Sequence, residues 1–557
     1  MTVPSLAAAL AQRLTASLAV DGFDPQVRRS EHADFQADGV LPLARALRRN
    51  PREVAATVAA ALAADPLLAG SDVAGPGFVN LTLTDRALLA QVAARHADGR
   101  LGVPAPETGR VTVVDYSQPN IAKEMHVGHL RSTVLGDALV RVVEHLGGTV
   151  LRQNHIGDWG TQFGMLIQFI DEQAPDQTDL DATYRAARAL FVTDPAFADR
   201  SRRRVVALQS GDAATVAAWR AIVAESTRHF SAIYDALGVR LTPADVVGES
   251  FYNDALPAVA DGLAHDGVAV VSDGALCVNA SGTPLIIRKS DGGFGYAATD
   301  LAAIRHRVDR LHADRILYVV DARQALHFRQ VFETARRAGW LPAGVEAVHV
   351  PFGTMLGSDG RPFKSRTGDT AKLADLLADA VSRARDVVAA KNPDLDGATL
   401  DERARQVGIG ALKYGDLSTG RTRDLVYDPA RMLALSGNTG VYLQYAHARA
   451  RSILARAGTG GTVVLDGPPL TAEERALVLD LDGFGDAVVE VARTLEPHRL
   501  CLYLYGLART FTAFVERCPV LRAPADARTT RLALCALTAD TLRTGLDLLG
   551  IATPDRL

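Results

Sequence analysis

Leu6, Leu10, Leu14 and Leu18 return at every fourth position, a spacing that lines one face of a helix. A second helix is expected over 51–64. The alternation in Gly75-Pro-Gly-Phe-Val-Asn-Leu-Thr-Leu-Thr84 reads as a strand, and the proline and glycine of 99–109 read as a linker. Residues 1–108 are thus expected to form a small α+β unit. From 109 to 435 the period changes repeatedly. The apolar run Val111-Thr-Val-Val-Asp115 leads into a helical pattern carrying Leu135, Leu139, Val142, Val143 and Leu146, and a short strand follows at 149–151. Further strands are expected at 285–288, 316–320 and 347–350. Such alternation predicts a parallel-sheet nucleotide-binding domain, interrupted by a polar, helix-rich insertion at about 171–280. From 436 to 557 the pattern is helical, and Tyr442, Tyr445 and Arg449, spaced three and four apart, share a face there.

Composition narrows the class. A chain of 557 residues, 48% hydrophobic and 22% charged, is ordinary globular material and long enough for three or four domains. No apolar run approaches the roughly 18 to 20 residues of a membrane span. The first residues lack a basic stretch and read as a folded helix, not a signal peptide. Cys277, Cys501, Cys518 and Cys535 are scattered with no CxxC pair, which favours reduced thiols in the cytoplasm and offers no zinc framework. Net charge is −4, so a nucleic-acid partner would have to be met by local arginine clusters such as Arg45, Arg48, Arg49 and Arg52, or Arg421 with Arg423.

The candidate chemistry starts at His126-Val-Gly-His129, between the strand at 111 and the helix after 130. A helix N-terminus offers free N–H groups and partial positive charge, which suit a phosphate. Two histidines there can donate to it, and Gly128 leaves room for an adenine ring. A metal pair is a poorer fit, because helical zinc sites want i, i+4 spacing with a glutamate between. The surrounding stretch Asp115-Tyr-Ser-Gln-Pro-Asn-Ile-Ala-Lys-Glu-Met-His-Val-Gly-His-Leu-Arg-Ser-Thr133, with Gln153-Asn-His-Ile-Gly-Asp-Trp-Gly-Thr-Gln-Phe-Gly164, closely resembles the active-site signature of arginyl-tRNA synthetases, class I enzymes with a His-Ile-Gly-His hallmark.

That resemblance implies a class I Rossmann-type parallel-sheet catalytic domain at 109–435, an N-terminal α+β appended tRNA-binding domain at 1–108 and an all-helical anticodon-binding domain at 436–557. It implies ATP-dependent ligation of L-arginine to its tRNA through an arginyl-adenylate. ATP would enter as its Mg2+ complex, with no zinc and no bound organic cofactor, and a monomer is expected. His126, Gly128 and His129 would meet ATP. The glycine-flanked basic loop from Gly353 to Gly368 stands where the class carries Lys-Met-Ser-Lys-Ser. Aligned as 361–365 it keeps the second lysine as Lys364; aligned one later, that position is Ser365. Lys123, just before the histidine motif, stands where a lysine of this family is thought to take over, so Lys123 and Lys364 are both candidate charge stabilisers.

A planar guanidinium with five donors needs carboxylates and an aromatic face. By resemblance Tyr296 and Asp300 hold it with Glu249 nearby, while Ser117, Asn120 and Gln324 hold the α-amino and carboxylate groups. Phe78 and Asn80 match family positions that contact a D-loop base, and Tyr442, Tyr445 and Arg449 match the anticodon side. The family's usual final methionine is Leu557 here. A class I enzyme for cysteine is disfavoured by the lack of clustered cysteines. A silent RNA-binding paralogue would have no reason to keep both histidines and both lysines, and a small-molecule adenylate-forming ligase leaves both ends of the chain unexplained.

Overall fold

The computed structural model describes residues 3–18, 20, 22–174, 179–357, 359–363 and 371–557. Leu6–Leu18 is a helix whose Leu6, Leu10 and Leu14 are buried in one core with Phe35, Val79 and Leu81. Its partner is a four-stranded antiparallel sheet in the order Val27–Arg29, Phe35–Ala37, Phe78–Leu83, Leu68–Ala74.

The centre of the molecule is a four-stranded parallel sheet. Val111–Asp115 lies between Arg315–Asp321 and Thr149–Gln153, and Glu346–Phe352 closes the far edge. After its first strand the chain therefore winds to one side, and later returns on the other. Ligands settle in the crevice this reversal opens at the carboxyl end of the strands. The turn at 116–126 and the helix Val127–His145 stand at that crevice. Leu130, Val134, Ala138 and Leu139 are buried, and the equally buried Arg131 is paired to Asp416 at 2.8 Å, so the helix start cannot drift.

The strand expected at 285–288 exists as Thr283–Arg288, but it does not join the parallel sheet. It pairs antiparallel with Ala275–Ala280, which pairs with Val270–Ser272. The reason lies in its own pattern. Leu285 and Ile287 are buried while Ile286 between them is exposed, whereas a parallel strand is covered on both faces. Within 171–280 the chain also forms the helices Leu180–Thr193, Pro195–Gln209 and Ala213–Leu237. The last of these returns to the crevice and buries Ile222, Phe230, Tyr234 and Leu237.

The end of the chain is a set of helices, Gly440–Ala457, Ala472–Asp482, Phe484–Thr494, His498–Arg517 and Ala525–Leu548. It meets the beginning directly. Asp482, buried, accepts from Arg95 at 2.9 Å, from the Gln91 amide at 2.7 Å and from the Leu6 backbone N–H at 2.7 Å. No helix among the described residues is long and apolar enough to cross a membrane.

Candidate active site

The two histidines cap the helix they begin. His126 Nδ1 accepts the Gly128 N–H at 3.1 Å, and His129 Nδ1 accepts the His126 N–H at 3.0 Å. The rings lie 4.0 Å apart. Burial, then the neighbouring His126, pushes His129 down to about 3. Burial lowers His126 as well, helped by Lys123 and Arg323. Both rings are therefore neutral near pH 7. Because each Nδ1 is an acceptor, each proton sits on Nε2. The pair thus presents two N–H donors at a helix N-terminus without itself carrying charge. Gly128 has a second duty beyond room for a ligand, since a Cβ there would stand 2.8 Å from the His126 ring.

A second group of side chains is acidic. Glu249 begins a short 3-10 turn, Glu249–Ala255, and Asp158 is held by the Ser250 N–H at 2.8 Å and hydroxyl at 2.6 Å. Burial, then the charges of Asp158 and Asp300, raises Glu249 to about 8. Burial raises Asp158 too. Tyr296 opens the helix Tyr296–Asp309 and is 74% exposed, one turn before Asp300. Asp300 Oδ2 is 2.6 Å from His327 Nε2. Burial opposes protonation of His327, yet the bond to Asp300 and its charge together carry the ring above the usual histidine value. The charges that reach Glu249 are all acidic. The fully buried Arg307 donates to Asp115 at 2.7 Å and to Gln153 at 2.6 Å. Asp115 in turn accepts from the Gln118 amide at 2.7 Å.

The remaining sequence-derived residues divide. Asn120 is exposed and bridges to Gly157, and Gln324 is exposed at the start of the helix Ala325–Arg337. Ser117 is buried, with its hydroxyl 2.8 Å from that of Tyr234, so it faces inward. Lys123 is exposed with Nζ 5.0 Å from the Tyr184 ring centre. Lys364 and Ser365 lie outside the described residues, but the far end of their loop is anchored. The Val127 N–H donates to Ala371 O at 3.1 Å, the Leu373 N–H donates to Met125 O at 2.8 Å, and Lys372 pairs with Glu124 at 2.6 Å. That anchor sits beside His126, and sequence reading missed it.

At the periphery, Phe78 is half-buried, whereas Asn80 is buried inside its sheet, accepting from Gln36 at 2.8 Å and donating to Asp72 at 3.1 Å. Tyr442 is half-buried against Tyr505 with its hydroxyl 3.2 Å from Thr512. Tyr445 instead is exposed in a cavity of about 440 Å³ shared with Val388, Lys391, Leu435, Val441 and Leu557. Arg449 is half-buried on the same helix. Residues missed from the sequence include Asp158 and His327. Asp158 sits inside the quoted stretch 153–164 and His327 three residues after Gln324, but nothing in the spacing marks their contacts with Ser250 and Asp300.

Residues 91–429 match the family described as tRNA synthetases class I (R), catalytic domain. Residues 443–557 match the DALR anticodon binding domain, and residues 4–83 the arginyl tRNA synthetase N terminal domain. An arginine–tRNA ligase of Frankia casuarinae is 59% identical, covering 96% of this chain and 95% of its own. That of Streptomyces coelicolor is 50% identical with full coverage of both chains. Among solved structures, arginyl-tRNA synthetase of Plasmodium falciparum superposes with a TM-score of 0.85 at 26% identity, covering 100% of each chain. The Thermus thermophilus enzyme superposes at 0.80 and 27%, covering 99% of this chain and 100% of that one.

Proposed function

The chain belongs to the class I arginyl-tRNA synthetases and joins L-arginine to its tRNA using ATP, and from that premise we propose how its own residues divide the work. The observation that carries the proposal is the acidic corner, where Glu249 is raised to about 8 by burial and by Asp158 and Asp300. A guanidinium entering there supplies the cation that Glu249 and Asp158 lack. Asp300, steadied by His327 at 2.6 Å, and Glu249 are the carboxylate partners, and the exposed Tyr296 provides the aromatic face. Asn120 and Gln324, both exposed, hold the α-amino and carboxylate ends, and Ser117 shapes the turn that presents Asn120.

The substrate carboxylate attacks the α-phosphorus of ATP, and pyrophosphate leaves as negative charge builds on its oxygens. Alignment and charge compensation are the whole task. His126 and His129 donate from Nε2 to those oxygens and lose nothing by deprotonation, being neutral already. Mg2+ accompanies ATP as part of the substrate. Lys123, with Lys364 and Ser365 of the basic segment, supplies the positive charge.

On the RNA side, Tyr445 with the apolar cavity it shares with Leu557 accepts an unstacked anticodon-loop base, with Arg449 for phosphate and Tyr442 as packing support. Phe78 meets the outer corner of the tRNA while Asn80 stiffens the strand beneath it. Division of the chain at 1–108, 109–435 and 436–557, a monomeric state and a cytoplasmic location complete the reading. The test is Asp300→Ala. Removing one partner of a buried ionic contact costs about 3 to 5 kcal/mol, so the arginine KM in ATP–pyrophosphate exchange should rise at least 100-fold. An unchanged arginine KM at full activity would remove Asp300 from the pocket.

A further inference from the structure

Three residues in the crevice turn have positive φ without being glycine, Ser117 at 75°, Gln118 at 52° and Ala122 at 59°. Side chains rarely adopt such angles, at a cost of order 1 to 3 kcal/mol each, and they persist only where neighbours over-determine them. Here many of the holding contacts come from outside the turn. The Ser117 N–H donates to Ser132 Oγ at 2.9 Å, the Gln118 N–H to Asn154 Oδ1 at 3.0 Å, and the Ala122 N–H to Ser226 Oγ at 3.0 Å. Ser226 belongs to the insertion helix Ala213–Leu237, and so does Tyr234.

Tyr234 joins these contacts into a chain whose direction follows from proton counting. Asn154 spends its amide oxygen on Gln118, so its Nδ2 donates to Tyr234 Oη at 2.9 Å. Tyr234, having accepted, donates its own proton to Ser117 Oγ at 2.8 Å. Ser117 Oγ is also 2.9 Å from Thr133 Oγ1, whose hydroxyl lies 2.8 Å from the His129 carbonyl. The carbonyl can only accept, so it takes the Thr133 proton. The chain runs from the segment after the second strand, through the insertion helix and the strained turn, to the first turn of the histidine helix.

We propose that Tyr234 is a positioning residue for arginine activation, holding the turn 117–122, with its left-handed Ser117, Gln118 and Ala122, in the shape that presents Asn120 to the amino acid. It touches no substrate, being buried. This rests on the reading above that Asn120 holds arginine, and the experiment separates the two.

Arginine and ATP dependence of pyrophosphate exchange, with tRNA present, would be measured for Tyr234→Phe, Ser226→Ala, Asn120→Ala and Tyr234→Phe/Ser117→Ala, together with each melting temperature. Tyr234→Phe keeps the ring and deletes one hydroxyl. Its arginine KM should rise about 10-fold while its ATP KM stays within about twofold, and Ser226→Ala should show the same split to a smaller degree. With Ser117→Ala measured beside them, the double variant should lose less than the product of its single effects, because one chain is being broken. A lower melting temperature with unchanged arginine KM in both Tyr234→Phe and Ser226→Ala would make the helix merely structural and overturn the proposal. Should Tyr234→Phe fail to fold, Ser226→Ala decides alone. A silent Asn120→Ala would instead overturn the reading of the turn itself.

Discussion

A histidine at a helix start can serve as a cation or as a fixed dipole, and burial decides which. With His129 pushed down to about 3 and His126 also lowered, neither ring is charged at neutral pH, and the donated bond alone remains. His129→Ala should therefore cut the rate of arginyl-adenylate formation by about 100- to 1000-fold with a much smaller change in ATP binding. Rapid-quench measurement of that step against an ATP titration checks it, and a normal rate with weakened ATP binding would demote His129 to ground-state contact. The opposite shift governs Glu249. Held protonated up to about 8 by burial and by Asp158 and Asp300, it attracts a guanidinium only once ionised. Arginine KM should accordingly fall as pH rises through about 8, and arginine binding below that pH should release a proton, visible as buffer-dependent binding heat. Glu249→Gln should flatten the pH profile; a profile equally steep in that variant would assign the titration elsewhere.

Elements convert those residues into a site. The crevice turn and the histidine helix were legible because their chemistry is concentrated in one continuous stretch, 115–133. What held them was not. Tyr234 and Ser226 stand more than 100 residues away, and a helical pattern gives no sign of which hydroxyl returns to which turn. The strand at 283–288 shows the complementary failure, since an apolar run announces a strand without its partner; only the alternating exposure of Ile286 between Leu285 and Ile287 marks a one-sided sheet. Glycine 128 was expected to make room for adenine, and the folded-back ring of His126 adds a tighter demand. The proposed charge supply divides between elements as well. Lys123 lies before the histidine helix, and the loop of Lys364 ends at a bridge between Lys372 and His126. Lys123→Ala should damage adenylate formation at least as much as Lys364→Ala, and the double variant should lose less than both combined. Strictly additive losses in exchange assays would show two independent cations.

At the scale of the molecule, the first and last regions are joined through Asp482 with Arg95, Gln91 and the Leu6 N–H. The sequence foretold helices near the end of the chain and an aromatic stripe, but not that Tyr442 turns to Thr512 and Tyr505 while Tyr445 opens to a cavity with Leu557. That split depends on the packing of neighbouring helices, which periodicity alone does not encode. Tyr445→Ala should weaken tRNA binding by about 1 to 3 kcal/mol with little change in melting temperature, as read by filter binding beside a thermal melt; normal tRNA affinity with a lowered melting temperature would make it a packing residue. The most direct test of the whole account is ATP–pyrophosphate exchange run with each of the twenty amino acids, with and without tRNA. An acidic corner that requires a planar cation predicts exchange with arginine and not with lysine or any neutral side chain. Exchange driven as well by another amino acid, or none with arginine when tRNA is present, would contradict it.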